Sequence, residues 1–178
     1  MASELAPLVL GLGGVTCGGK TTVANYLKGQ LPKDSLAVIH QDDYYWPEDS
    51  SHWNNDGTDN WDELAAFDMD KLIKDVKEKI SQKFHYIIIE GIMLYEDTRL
   101  EELIDRKYFF ILPYEECKNR RVLRAYEPPE PYPEYFDVMY WPVYQQQLEL
   151  FTHRADIKLV DSTNIIEAIQ DAILADIQ

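Results

Sequence analysis

The sequence predicts an α/β domain built as a three-layer sandwich, with five parallel strands in the middle and helices on both faces. Three observations lead there. Short apolar runs without polar alternation, such as YIIIE at 86–90, recur along the chain, as they do in strands buried on both sides. Segments of helical period separate those runs. The glycine-rich stretch GLGGVTCGGKTT at 11–22 lies between the first apolar run and the first helical run.

In chain order, residues 8–13 form the first buried strand and residues 20–31 the first helix, which Pro32 stops. SLAVIH at 35–40 is the second strand. Residues 41–60 are polar and carry Pro47, Asn54-Asn55 and Asp56-Gly57, which marks a loop. Residues 62–81 read as helix, with Asp68 as an internal cap and Leu72, Ile73, Val76 and Ile80 at helical spacing. The third strand is 86–90 and the fourth 108–112. Pro113 then opens a helix through YEECKNRRVLRAY, which Pro128-Pro129 ends. Four of the nine prolines fall within 128–133, a stiff loop. Residues 135–151 read as helix with a kink or restart at Trp141-Pro142. Residues 157–160 are the fifth strand and 164–177 a closing helix. Ligands of such sheets bind at the carboxyl ends of the strands.

Composition narrows the function classes. The 178 residues suit one domain, here 1–178, with a core of ordinary size. A net charge of −15 argues against nucleic-acid binding, which needs a basic face. Two cysteines, Cys17 and Cys117, are too few for a disulfide framework and point to a reducing compartment. The apolar start lacks a preceding basic region and runs into the glycine loop, so it reads as a strand and not a signal peptide. No run reaches membrane-span length. The expectation is a cytoplasmic monomer, with access to the nucleus by diffusion and no membrane partner.

Gly14-x-x-x-x-Gly19-Lys20-Thr21 is the phosphate-loop pattern, in its required strand-to-helix setting. Successive backbone N–H groups wrap phosphates when side chains stay clear, which makes residues 14–22 (Gly14, Val15, Thr16, Cys17, Gly18, Gly19, Lys20, Thr21 and Thr22) the nucleotide-binding segment. Lys20 reaches the β- and γ-phosphates, the Thr21 hydroxyl is placed for Mg²⁺, and the helix start faces the anion. These features extend the fold class to a P-loop NTPase.

Asp42 ends the second strand, where a carboxylate can take the proton of an attacking hydroxyl or hold the metal's water shell. Asp43 beside it is the weaker candidate, since a turn acid explains one of the two. Glu90 closes the third strand as the second metal-side group, and Gly91 after it allows close backbone approach. Lys118, Arg120, Arg121 and Arg124 place four of 17 basic residues within seven positions. At helical spacing the three arginines share a face, which reads as a lid, about 114–135, closing over phosphate; pairing with Glu115 and Glu116 is the plainer alternative. Tyr44, Tyr45, Trp46, Trp53, Trp61 and Asp62 surround the loop after the second strand. The rings are either core plugs or stacking surfaces for a flat ring, and a cationic ring would gain about 0.5–2 kcal/mol from them.

GVTCGGKTT, QDDYY, NWDELAAFDM, IIIEG and, above all, PYEECKNRRVLRAYEPP followed by YFD and WPVY resemble the nicotinamide riboside kinases, within the uridine kinase-like P-loop nucleoside kinases. The resemblance runs from the first strand to about Thr163. It implies transfer of phosphate from ATP, with GTP the other donor the pattern admits, to the ribose 5′-hydroxyl of nicotinamide riboside, a step of NAD biosynthesis, with nicotinic acid riboside as a second substrate. Residue by residue, it implies Asp42 as general base, Thr21 and Asp42 on the Mg²⁺ side, Asp42, Asp43, Tyr44, Tyr45, Trp61, Asp62 and Arg121 at the riboside, and Arg120, Arg124, Ala125 and Tyr126 at the nucleotide and lid. Thr163 falls near the adenine-side loop. A family member carries Asn-Ser at Cys17-Gly18, Phe-Phe at Tyr44-Tyr45 and Tyr at Trp61, so the phosphate loop differs while the aromatic character is kept.

Three other readings compete. A uridine or cytidine kinase would use the same phosphate chemistry. A GTPase switch needs a guanine-selective Asn-Lys-x-Asp, which the chain lacks. A non-catalytic nucleotide-binding adaptor would have no use for Lys20, Thr21, Asp42 and Glu90 together.

Overall fold

The structure is a computed structural model that describes residues 6–54, 59–82, 84–124, 130 and 132–178. Five parallel strands form one sheet: β1 (Leu8–Gly14), β2 (Leu36–His40), β3 (Tyr86–Glu90), β4 (Arg106–Ile111) and β5 (Ile157–Asp161), in the order β2-β3-β1-β4-β5. Six α-helices accompany them among the described residues: α1 (Lys20–Gln30), α2 (Met69–Ser81), α3 (Thr98–Glu101), α4 (Tyr114–Leu123), α5 (Trp141–Phe151) and α6 (Ile166–Ile177). Helices α1 and α6 pack against each other, and α2 packs against β3.

The apolar strands are buried for the reason their sequences suggest. Leu10, Leu12, Ile87, Ile88, Ile89, Phe109 and Phe110 are at most 1 % exposed, so both faces of the central strands are covered. Because β1 is central, the chain crosses to one side of it for β2 and β3 and to the other for β4 and β5. The loops leaving β1, β2 and β3 therefore meet at one end of the sheet.

The helix expected from Asp62 begins instead at Met69. Asp68 is its N-cap, accepting the Lys71 N–H at 3.0 Å. Residues 62–68 are held by long-range backbone pairing that a helix would forgo. The Trp46 N–H donates to the Ala66 carbonyl at 3.1 Å and the Asp68 N–H to the Tyr44 carbonyl at 2.7 Å, and Tyr45 and Phe67 form an antiparallel bridge. This fastens the segment after β2 to the segment before α2.

Helix α4 stops at Leu123, three residues short of the expected Tyr126, because Arg124 is already extended. Pro113 stands just ahead of the helix as its capping residue. The expected kink near Trp141-Pro142 takes the form of a π-helical turn, Phe136–Tyr140, feeding directly into α5. Helix α3 lies in a stretch that sequence periodicity left unassigned. Its four residues follow Asp97, the N-cap, which accepts the Arg99 N–H at 2.9 Å. Among the described residues no helix is long and apolar enough to cross a membrane.

Candidate active site

The loop between β1 and α1 owes its shape to local backbone demands. Gly14 has φ +103°, and a Cβ there would lie 2.4 Å from the Phe110 carbonyl oxygen, so no larger residue fits. Gly19 (φ +92°) turns the chain into α1, whose first turn has neither a side-chain cap nor an acidic residue. Its N–H groups are thus available to an anion. Cys17 holds φ +55°, a left-handed conformation that costs a non-glycine residue about 1–2 kcal/mol. Behind the loop, the Tyr140 hydroxyl accepts the Thr16 N–H at 2.6 Å, so the π-helical turn pins the loop in place. Cys117 contacts the Thr16 carbonyl at 3.6 Å, and burial pushes its thiol up to about 12, which makes it inert at neutral pH. Neither cysteine forms a disulfide among the described residues.

Lys20 is 7 % exposed, and its Nζ donates to the carbonyls of Gly14 at 3.0 Å and Val15 at 2.6 Å. Burial lowers its pKa, while the charges of Glu90 and Asp42 pull it back up. The Thr21 hydroxyl donates to Glu90 Oε1 at 3.0 Å. His40 Nδ1 lies 2.7 Å from that same oxygen. Strand register explains the second contact, because His40 and Glu90 are direct partners across β2 and β3.

Asp42 sits in a 3₁₀ turn, Gln41–Tyr44, at the exit of β2. Its pKa is raised, first by the enclosing cleft walls and then by Glu90, with Lys20 opposing. The carboxylate still meets solvent, so the push is that of a recess and not of a core. A carboxylate shifted this way is a stronger base than a free one. Gln41 beside it is fully buried and accepts the Met93 N–H at 2.9 Å. A Cβ at Gly91 would lie 2.3 Å from Gln41 Oε1, so the close approach expected at Gly91 is made to Gln41.

The arginines converge on the cleft by a different route from the shared helical face. Arg120 pairs with Glu116 at 2.7 Å and also donates to the Ser162 carbonyl at 3.1 Å. Arg121 is 6 % exposed, bonded to Asp62 at 3.1 Å and Glu130 at 2.5 Å, with its guanidinium 4.6 Å from the Tyr140 ring centre. Burial pushes the Asp62 carboxyl up, with Arg121 holding it back. Arg124 leaves the helix yet still lines the cleft. Removing Arg121 would strand two carboxylates, and leaving a buried ion pair half-made costs about 3–5 kcal/mol. Arg121→Ala is therefore expected to lower the melting temperature by about 6–20 °C; a thermal melt within 2 °C of the parent would contradict this pairing.

The resulting cleft has a volume of about 390 Å³. Thr16 to Thr22 of the loop, Asp42, Tyr45, Asp62, Glu90 and the three arginines all line it. A cavity of similar size, about 370 Å³, lies between β5 and α6, but no comparable set of acids, lysine and arginines converges there. Gly14 and Val15 shape the loop from behind and do not line the cleft. Asp43 and Tyr44, expected at the substrate, point elsewhere. They border a separate recess beside α2, where the Tyr44 hydroxyl donates to Asp75 at 2.9 Å and Lys71 sits over the ring. The tight turn after β2 sends successive side chains in different directions, so Asp42 faces the cleft and its two neighbours do not. Trp61 is also absent from the cleft lining; it stacks on Trp53 at 4.2 Å and stands 6.2 Å from Tyr45. Ala125 and Tyr126 lie outside the described residues. Thr163 bonds back to Asp161 at 2.9 and 2.7 Å, next to the Ser162 carbonyl that Arg120 reaches.

The AAA domain family matches residues 10–142. The chain is 37% identical to human nicotinamide riboside kinase 2, over 96% of this chain and 81% of that one. The chain belongs to the nicotinamide riboside kinase family. A uridine kinase from Lactiplantibacillus plantarum is 31% identical over 58% of this chain and 60% of its own. In fold, the chain is similar to a sugar kinase from Janibacter sp. HTCC2649, with a TM-score of 0.66, 16% identity and coverage of 95% of this chain and 93% of that one. The fold is the three-layer α/β fold of P-loop kinases.

Within this nicotinamide riboside kinase family member, the sequence reading overlooked three residues at the site. His40 and Gln41 belong to QDDYY's flank and core, and strand register was the signal that would have paired His40 with Glu90. Tyr140 lies between the YFD and WPVY motifs, and no local pattern announces its contact with Thr16, 124 positions away.

Proposed function

We propose that this chain transfers the γ-phosphoryl group of ATP to the ribose 5′-hydroxyl of nicotinamide riboside, giving the mononucleotide, with nicotinic acid riboside as a second acceptor. The observation that carries this reading is one cleft holding an open phosphate loop, a base at the exit of β2 and three arginines. The 37% identity to human nicotinamide riboside kinase 2 supports the choice of acceptor.

The donor set suits Mg²⁺. The Thr21 hydroxyl and the Glu90 and Asp42 carboxylates are hard oxygen donors, and the first two already meet at 3.0 Å. Mg²⁺ is commonly held by one or two carboxylates together with substrate phosphates, which agrees with there being no cluster of three or more His, Cys, Asp or Glu metal ligands among the described residues. Bound there, the ion would neutralise charge on the phosphates. Lys20 and the N–H groups of the loop and α1 orient the triphosphate. Asp42 positions the 5′-hydroxyl and accepts its proton as the oxygen attacks phosphorus. Arg120 and Arg124 balance charge on the transferring group and help exclude water. Tyr45 forms the wall of the acceptor side, with Trp61 and Trp53 stacked beyond it. Asp62 is fixed by Arg121 and can still accept from a ribose hydroxyl through its other lone pairs.

The same reading takes residues 1–178 as one kinase domain with its lid at about 114–135, acting as a cytoplasmic monomer on ATP or GTP. The relation to a uridine kinase favours nucleoside phosphorylation as the second reading. Product analysis tests the first: ³¹P NMR of a reaction with ATP, Mg²⁺ and nicotinamide riboside should show a 5′-phosphomonoester, and the 5′-deoxyriboside should give none. ATP turnover that is indifferent to the 5′-hydroxyl would contradict the reading.

A further inference from the structure

We propose that His40 is a positioning residue for the metal side of the cleft, an inference that rests on the kinase reading above. His40 Nδ1 and Thr21 Oγ1 both meet a single oxygen of Glu90, at 2.7 and 3.0 Å. A carboxylate oxygen accepts and cannot donate, so Nδ1 carries the hydrogen and Thr21 gives its own hydroxyl hydrogen to Glu90. The second consequence matters for function. A threonine hydroxyl whose hydrogen is committed to Glu90 presents lone pairs to whatever stands on its other side, which is what a cation ligand requires.

The clamp also restrains Glu90 itself. Glu90 is the leading carboxylate acting on Lys20, ahead of Asp42. Held by His40, Glu90 stays beside Thr21, and Lys20 keeps its place over the loop carbonyls. Without that bond a single hydroxyl would hold Glu90, and the lysine would be a competing partner. The contact depends on β2 and β3 being adjacent and in register, with His40 and Glu90 side by side at the strand ends. The His40 side chain is 33% exposed while that of Glu90 is 6% exposed, so truncating the histidine opens space to solvent and leaves no sealed core void.

The test measures nucleotide binding, not turnover. ATP affinity is determined by calorimetry with excess Mg²⁺ and again in EDTA, without any riboside, for the parent, His40→Ala and His40→Asn. The ratio of the two affinities is the gain due to Mg²⁺. Loss of a partner that orients a metal ligand typically costs 10–100-fold in metal affinity. His40→Ala should therefore cut the Mg²⁺ gain by about tenfold and leave affinity in EDTA within about twofold of the parent. Asn places an N–H donor where Nδ1 stands, so His40→Asn should recover most of the gain. An unchanged gain in His40→Ala, an equal loss in His40→Asn, or a parallel fall in EDTA would each overturn the proposal. A parent that binds no ATP in Mg²⁺ would overturn the kinase reading and this inference with it.

Discussion

Lys20→Ala should lower turnover by about 10³-fold or more, with a circular dichroism spectrum matching the parent. Among the described residues Lys20 is the one lysine lining the cleft, and it sits at the base of the loop with its ammonium directed at the Gly14 and Val15 carbonyls. Those bonds are replaceable by water once the side chain is cut. The positive charge aimed at the β- and γ-phosphates is not. Burial opposes that charge and Glu90 and Asp42 sustain it, so its environment is set for an anion to complete. Fold survival follows because the backbone turns at Gly14 and Gly19 and the Tyr140–Thr16 bond, which set the loop's shape, remain when the Lys20 bonds to the Gly14 and Val15 carbonyls are lost. Turnover within threefold of the parent would remove Lys20 from the phosphate site.

Asp42→Asn should reduce kcat by about 10²–10⁴, the usual contribution of a positioned general base. The amide keeps the size of the carboxylate and its place in the turn after β2, so the loss isolates proton acceptance and negative charge. Nucleotide binding should change far less, because the loop N–H groups and Lys20 hold the phosphates. Steady-state kinetics with varied ATP separates the two effects. A variant that keeps kcat within threefold would show that Asp42 is not the base.

The parts of this protein legible in its sequence are those whose causes are local. Five strands could be read because a strand covered on both faces must be apolar at successive positions, as YIIIE is. The phosphate loop could be read because Gly14 and Gly19 answer to backbone angles that few other residues adopt. Asp68 was legible as a cap for the same reason, but the helix before it was not real. Residues 62–68 satisfy their backbone through Tyr44 and Trp46, some twenty positions away, and no local pattern announces such pairing. The arginine cluster was legible as a group brought to one cleft, yet the contacts within it were not. Arg121 is drawn inward by Asp62, Glu130 and the Tyr140 ring, while Arg120 reaches Ser162. Asp43 and Tyr44 neighbour Asp42 in sequence, yet the turn directs them to a separate recess, and adjacency alone does not announce that.

The central claim is that this cleft accepts a pyridine riboside in preference to an ordinary nucleoside. Tyr45 and the buried Asp62 line its acceptor side, with the Trp53–Trp61 stack beyond Tyr45, in a chain of net charge −15. Stacking and charge there favour a cationic ring over a neutral one by about 0.5–2 kcal/mol for each good contact. The direct measurement is a competition between nicotinamide riboside, uridine and cytidine for limiting enzyme with ATP and Mg²⁺, reading each kcat/KM from the products. Nicotinamide riboside should lead both nucleosides by about tenfold or more, the ratio one or two such contacts produce. Equal or greater kcat/KM for uridine or cytidine would contradict the account.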